Sequence, residues 1–247
     1  MKIVRYHNFR QLTPAPLQGS FTRWGGVSSG PLAELNVGSA VGDDPERVAE
    51  NLRRIRRALG LEVLVSARQV HGARVAVVAA VPAEDLELDG YDALVSACPG
   101  VGLLVRQADC QAVLLYDPVR RVAANIHAGW RGSAANIIAA AVGIMTGEFQ
   151  CRPADLRAAI SPSLGPCCAE FVNHRRELPP EFQAYQVRPD FFDFWAISRA
   201  QLQAAGLGAA RIEQAGICTR CHPDFFSYRR DPGCGRNCSV IAVGRER

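Results

Sequence analysis

Apolar residues recur with a helical period most clearly in "DDPERVAENLRRIRRALG", residues 43–60, where Val48, Leu52, Ile55 and Leu59 form one stripe and the arginines are left to solvent. Asp43 or Asp44 can cap this helix, Pro45 suits its first turn, and Gly60 suits its end. Further helices are predicted over about 133–145 and 198–205. Runs of strand formers are expected near 64–67, 75–80, 93–96, 101–106, 156–160 and 211–215. Another pair, at 113–116 and 122–126, is separated by "DPVR", where Asp then Pro favours a type I turn. Hairpins mixed with helices predict an α+β fold, and the chain reads as a single domain over residues 1–247. Residues 179–190, "PPEFQAYQVRPD", read as a loose surface excursion.

The register of that hairpin carries the first chemical expectation. A turn centred between Pro118 and Val119 sets Asp117 opposite Arg120 and, counted outward, Cys110 opposite His127. Opposed residues lie roughly 4.5–5.5 Å apart at Cα with side chains on one face. Val113, Leu115, Val122, Ala124 and Ile126 make the core face, whereas Ala112, Leu114, Tyr116, Arg121, Ala123 and Asn125 share the less apolar face with Cys110 and His127. A thiolate beside an imidazole is half of a zinc site or a Cys-His catalytic pair.

Composition narrows the class. Hydrophobic residues make up 48% of the chain, enough for a sizeable core. No uncharged apolar run reaches the roughly 18 residues of a membrane span. The start, "MKIVRYHNFRQL", lacks an apolar signal core, so a cytoplasmic location is expected. The net charge of +4 is mild and its arginines are scattered, which argues against a nucleic-acid partner while leaving small anions compatible. Nine cysteines without a secretory signal point to metal or redox chemistry rather than a disulfide framework.

Other segments add candidates, each with a plainer reading beside it. His71 in "QVHG" is either a turn residue or the third ligand that, with Cys110 and His127, would leave an open zinc position. The Gly-rich segment 21–38 carries Arg23 and is either an anion-binding loop or an ordinary surface loop. "HAGWRG" places Arg131 at a strand-to-helix turn, a natural anion site or a solvent-facing arginine. "FFSYRRDPGCGR" places Arg229, Arg230 and Arg236 near Phe225, Phe226 and Tyr228, or is an ordinary amphipathic strand and turn. Asp109 could move protons, although alternation turns it away from Cys110. In the tail, Cys218-x2-Cys221 and Cys234-x3-Cys238 are spaced for a structural metal, with a disulfide or redox pair and unlinked thiols as the alternatives.

The ordered set "FTRWGGVSSGPLAELNVG", "VGDDPERVAENLRRI", "QVHG", "DALVSACPGVGLLVRQADCQAVLLYDP", "AANIHAGWRG", "SPSLGPCCAEF" and "FFSYRRD" resembles the YfiH-type family from about Phe21 to Ile241. That family is also described as laccase-domain, polyphenol-oxidase-like or multicopper-oxidase-like purine nucleoside phosphorylases. The resemblance implies a single mixed-sheet α/β sandwich of the YfiH-like type. It implies a zinc site whose ligands carry over to His71, Cys110 and His127, with copper as the alternative metal. The implied activities are phosphorolysis of adenosine, inosine, guanosine and methylthioadenosine, together with adenosine deamination. Purine nucleosides and phosphate are the expected partners, and the chain is expected as a monomer or weak homodimer without membrane or nucleic acid. Arg23, Arg131 and Arg229 are the arginines assigned to phosphate or substrate.

Rival readings are a cysteine hydrolase using Cys110 and His127, and a copper-dependent polyphenol oxidase, for whose multicopper form five histidines are too few. The chain departs from the family pattern at Arg106-Gln107, in "NHRRELPPEFQAYQ", and in its tail cysteines; Cys167-Cys168 in "GPCC" reads as a packing feature.

Overall fold

The computed structural model describes residues 1–245. Its first seven strands are β1 (Ile3–Val4), β2 (Leu17–Phe21), β3 (Val63–Arg68), β4 (Val75–Val77), β5 (Leu86–Asp89), β6 (Ala93–Ser96) and β7 (Val101–Gln107). They are followed by β8 (Gln111–Asp117), β9 (Val122–Ala128), β10 (Arg157–Ile160), β11 (Gln186–Arg188), β12 (Phe191–Phe192), β13 (Ile212–Gln214) and β14 (Asn237–Ala242). The α-helices are α1 (His7–Arg10), α2 (Pro45–Leu59), α3 (Trp130–Ala134), α4 (Ile137–Phe149), α5 (His174–Glu177) and α6 (Phe194–Ala204). No helix among the described residues is long and apolar enough to cross a membrane.

Two six-stranded mixed sheets face each other, with orders β1-β2-β14-β7-β3-β5 and β13-β10-β8-β9-β6-β4. Val65, Leu103 and Ile241 of the first meet Leu94, Leu114 and Ala123 of the second. The outer face of the first sheet buries Leu64, Leu104 and Val240 against Ile55 and Leu59 of α2. The outer face of the second packs Val113, Leu115 and Ile126 on Ile138 and Met145 of α4 and Leu202 of α6. The layers therefore run α, β, β, α, which is the mixed-sheet sandwich expected from the sequence. Between the sheets, Asn125 of β9 donates to the carbonyls of Leu103 and Ser239, each at 2.8 Å.

Local chemistry explains the elements and where expectation missed. The Asp44 side chain accepts from Glu46 N at 2.9 Å to start α2, and Gly60 ends it in the left-handed region at φ 65°. Buried Asn51 on α2 accepts from Val27 N at 2.9 Å and donates to the Asn36 carbonyl at 2.8 Å, which fixes the Gly-rich segment. The helix expected over 133–145 is two helices, because left-handed Asn136 (φ 52°) interrupts it and caps α4 through Ala139 N. The last helix starts earlier than expected, with the Asp193 side chain capping it at Ala196 N.

The hairpin register differs by two residues from the expected one. Asp117 Oδ1 accepts from Val119 N and Arg120 N at 2.7 and 2.9 Å, and Arg121 turns through φ 54°. This four-residue loop pairs Asp117 with Val122 and Ala112 with His127. An even shift leaves every side chain on its expected face. The less apolar face is nonetheless buried, since the other sheet covers it. Strands β2 and β14 and the short β1 and β5 lie outside the expected set. Segment 179–190 runs largely over the surface, as expected, but Phe182 within it is buried with Phe194 and Ile197 and anchors it.

Candidate active site

Sequence order brings His71, Cys110 and His127 together by three separate devices. His127 lies buried on β9. Cys110 follows Asp109, whose positive φ of 87° reverses the chain between β7 and β8. His71 occupies a turn after β3 at φ 60°. One buried carboxylate holds that turn: Asp92 accepts from the main-chain amides of Val70, His71 and Gly72 at 3.2, 2.9 and 2.8 Å. The same Asp92 binds His127 Nδ1 at 2.8 Å, which leaves Nε2 for the site. The ligand atoms of His71, Cys110 and His127 lie within 4.8 Å of one another. The two imidazoles meet edge to face, with ring centroids 4.8 Å apart.

Gly129 leaves the space they need. A Cβ there would lie 2.9 Å from His71 Cδ2 and 3.1 Å from Cys110 Sγ. Burial alone would raise the Cys110 thiol, but His127 and His71 outweigh it and bring it down to about 6. Burial alone would lower His127, yet Cys110 and Asp92 raise it to about 9. For Asp92, burial is again opposed, here by His127 and the amides, and the carboxyl is held below its usual range. Two imidazoles and a thiol of lowered pKa that together face a cavity fit zinc or a single copper. His7, His174 and His222 stand outside this group, so the described residues offer too few histidines here for a multicopper centre.

A cavity of about 550 Å³ opens on the three side chains. One wall is aromatic, with Trp130 and Phe194 on either side of Phe171 at centroid distances of 6.4 and 5.0 Å. Four guanidinium-bearing residues, Arg68, Arg106, Arg229 and Arg236, also line it, together with Glu87. Arg68 pairs with Asp89 and Arg106 with Glu87, whereas Arg236 donates to the Cys234 and Gly235 carbonyls. Arg229 donates to the carbonyls of Cys168 and Glu170 at 3.3 and 3.1 Å. Gly38, at the end of the Gly-rich segment, joins the lining.

Of the arginines singled out in the sequence, Arg229 lies at this cavity. Arg23 does not line it; its Nε donates to the Ala33 carbonyl at 2.7 Å, and its guanidinium sits 4.5 Å from the Phe226 ring centroid. Arg131 is exposed on α3, 4.2 Å over the Trp130 ring, and also stands outside the lining. Asp109 is occupied as an anchor, accepting from Thr219 Oγ1 at 2.7 Å and Arg229 N at 2.6 Å.

The tail cysteines do not gather as their spacing predicts. Strand β14 carries Cys238 into the first sheet opposite Phe21, while Cys218 and Cys221 come together with Cys167 and Cys168. Sequence reasoning missed Asp92, Phe171 and Arg68 as site residues; Arg236 was among the candidates of "FFSYRRDPGCGR", and Arg106 stood out only as a departure from the family pattern. The aspartate inside "DALVS" was the available signal.

A fold of two mixed sheets between helices, with a Cys-His-His group at a cavity, places the chain in the class of the laccase-like sandwich proteins. The chain belongs to the YfiH-type family: residues 17–244 match the family model described as multi-copper polyphenol oxidoreductase laccase. It is 39% identical over 234 residues to a purine nucleoside phosphorylase of Streptomyces griseus, covering 90% of this chain and 94% of that protein. A purine nucleoside phosphorylase of Streptomyces coelicolor is 41% identical over 225 residues, covering 88% and 91% of the two chains. Among solved structures, YlmD from Geobacillus stearothermophilus superposes with a TM-score of 0.86 at 32% identity, covering 97% of this chain and 94% of that one.

Proposed function

We propose that this chain is a zinc-dependent purine nucleoside phosphorylase acting on adenosine, inosine, guanosine or methylthioadenosine, with adenosine deamination as a second activity. The observation that carries the reading is one cavity in which His71, Cys110 and His127 face an aromatic wall and several guanidinium groups. The names of the relatives support the same reaction. His71, Cys110 and His127 would hold the metal. When bound, zinc supplies a Lewis acid with an open position for water or a substrate atom.

In phosphorolysis a phosphate oxygen bonds to the ribose anomeric carbon as the bond from that carbon to the purine nitrogen breaks. The purine leaves with the bonding electrons and takes a proton. The transition state carries oxocarbenium character, so positioning and charge dominate. Phe171, Phe194 and Trp130 would pack the purine face and exclude water. Arg229 would hold the phosphate, with Arg106 and Arg236 adding positive potential. Arg23 and Arg131 fit this role less well because neither lines the cavity. Asp92 would keep His127 in one tautomer and His71 in its turn.

A specific contact also favours a second reading. Cys110, His127 and Asp92 form the order of a nucleophile, a base and an orienting carboxylate, as a cysteine hydrolase requires. Metal binding and thiolate attack compete for the same sulfur, so removal of metal separates the two. The test measures release of the free purine base from adenosine, and then from inosine, guanosine and methylthioadenosine, by metal-quantified protein with and without phosphate. Phosphate-dependent release that is lost with the metal supports phosphorolysis. Absence of release from folded, zinc-loaded protein across all four nucleosides rejects it.

A further inference from the structure

Cys167, Cys168, Cys218 and Cys221 place their sulfurs within 4.8 Å of one another, apart from the Cys110 group. Cys221 Sγ lies 3.7 Å from Cys167 Sγ and 3.5 Å from Cys168 Sγ. A zinc–sulfur distance of about 2.3 Å in a tetrahedron sets neighbouring sulfurs about 3.8 Å apart. The C-x2-C spacing of Cys218 and Cys221 is that of a zinc knuckle, and the vicinal pair closes the set. We propose that these four thiols bind one zinc ion in a closed, structural site that ties two walls of the catalytic cavity together.

The surroundings suit a thiolate centre. Gly165 N donates to Cys218 Sγ at 3.3 Å, and Arg220 Nη1 donates to Cys168 Sγ at 3.5 Å. Binding sends the thiol protons to solvent and leaves a doubly negative centre, which the Arg220 guanidinium beside Cys168 partly offsets. Arg188, which donates to the Cys167 carbonyl at 3.0 Å, adds a second positive charge nearby.

The two ligand loops meet elsewhere as well: Thr219 N donates to the Ser163 carbonyl at 3.0 Å, and Ser163 N to that of Ile217 at 3.1 Å. One loop carries Leu164, Ala169 and Phe171 to the cavity, and the other carries Tyr228 and Arg229. Asp109, next to Cys110 in the chain, accepts from Thr219 and Arg229 of the second loop and so ties it to the Cys110 site. With four protein ligands no position is left for substrate, so the ion would act by holding these loops. Its bearing on catalysis rests on the proposed function; its presence does not.

The test is an alkylation footprint on the full chain, purified under reducing conditions and loaded with zinc. Cys167 and Cys221 are exposed, so as free thiols they would react readily. The expected result is protection of both, read by peptide mass, until a chelator removes zinc. Rapid alkylation at zinc saturation overturns the proposal, and so does protection relieved by reductant but not by chelator. Exposed Cys221 offers a variant that spares the core: Cys221→Ser is expected to retain one zinc fewer per chain and to melt several degrees lower. An unchanged zinc content in that variant overturns the site whatever the nucleoside assay shows.

Discussion

Two groups of cysteine sulfurs in this molecule differ in what surrounds them. Cys110 has two imidazoles, a buried carboxylate behind them and a cavity in front. The second group has four sulfurs drawn from two loops. An incomplete protein ligand set invites a reacting molecule, whereas a complete one holds chain segments in place. Residue type alone does not make this distinction, because cysteine serves in both. It comes from the partners the fold supplies.

The comparison is broken most sharply at Cys110. Cys110→Ala is expected to lower phosphate-dependent purine release by at least about 100-fold, more than loss of a supporting residue costs, and to lower the melting temperature because the pairing with His127 is lost. Chromatography of the released base and a thermal scan check both parts. Asp92→Asn is the next test, with an expected loss of about 10–100-fold in zinc affinity or turnover, measured by metal competition. Gly129→Ala is expected to weaken zinc binding too, since its methyl would lie only 2.9 Å from His71 Cδ2 and 3.1 Å from Cys110 Sγ.

Smaller effects sharpen the contrast. Arg229→Ala is expected to raise KM for phosphate by about tenfold, the scale of one charged hydrogen bond, against less than about twofold for exposed Arg131→Ala. Phosphate titration of initial rates distinguishes them. In metal-free protein, alkylation of Cys110 is expected to rise with pH through about 6, instead of the roughly 8.5 of an ordinary thiol. The associated stability has a definite sign. Lowering the Cys110 pKa contributes stability that is lost as pH falls through about 6, and raising that of His127 contributes stability that is lost as pH rises through about 9. The pair is therefore intact between those values, and a pH series of melting temperatures on the metal-free chain checks the window.

Much of this arrangement was legible in the sequence. Alternation in the hairpin put His127 on the less apolar face, and an even register shift could not undo it. Cys110 lies just before β8, outside the paired residues, and is brought to His127 by the reversal at Asp109. The caps of α2 were readable because Asp44 and Gly60 act within their own turn. Strand β14 was not readable, since Ser239 interrupts its apolar pattern and finds its partner in Ser20, which also meets Tyr6, each at 2.6 Å. Asp92 looked like any residue preceding a strand until its amide partners, some twenty positions earlier, were in place. The sulfur cluster failed to show for the same reason: half of it comes from a loop about fifty residues upstream.

Asn125 has a consequence for the shape of what the molecule can admit. The cavity is a joint between two leaves, with Arg68 and Arg106 on one sheet and His127 on the other. Two residues before His127, Asn125 rivets those leaves through Leu103 and Ser239. The spacing of the two leaves beside His127 is thus held from inside the sandwich, by this amide together with the apolar residues packed between the sheets. The loops that carry Phe171 and Arg229 close the remaining sides.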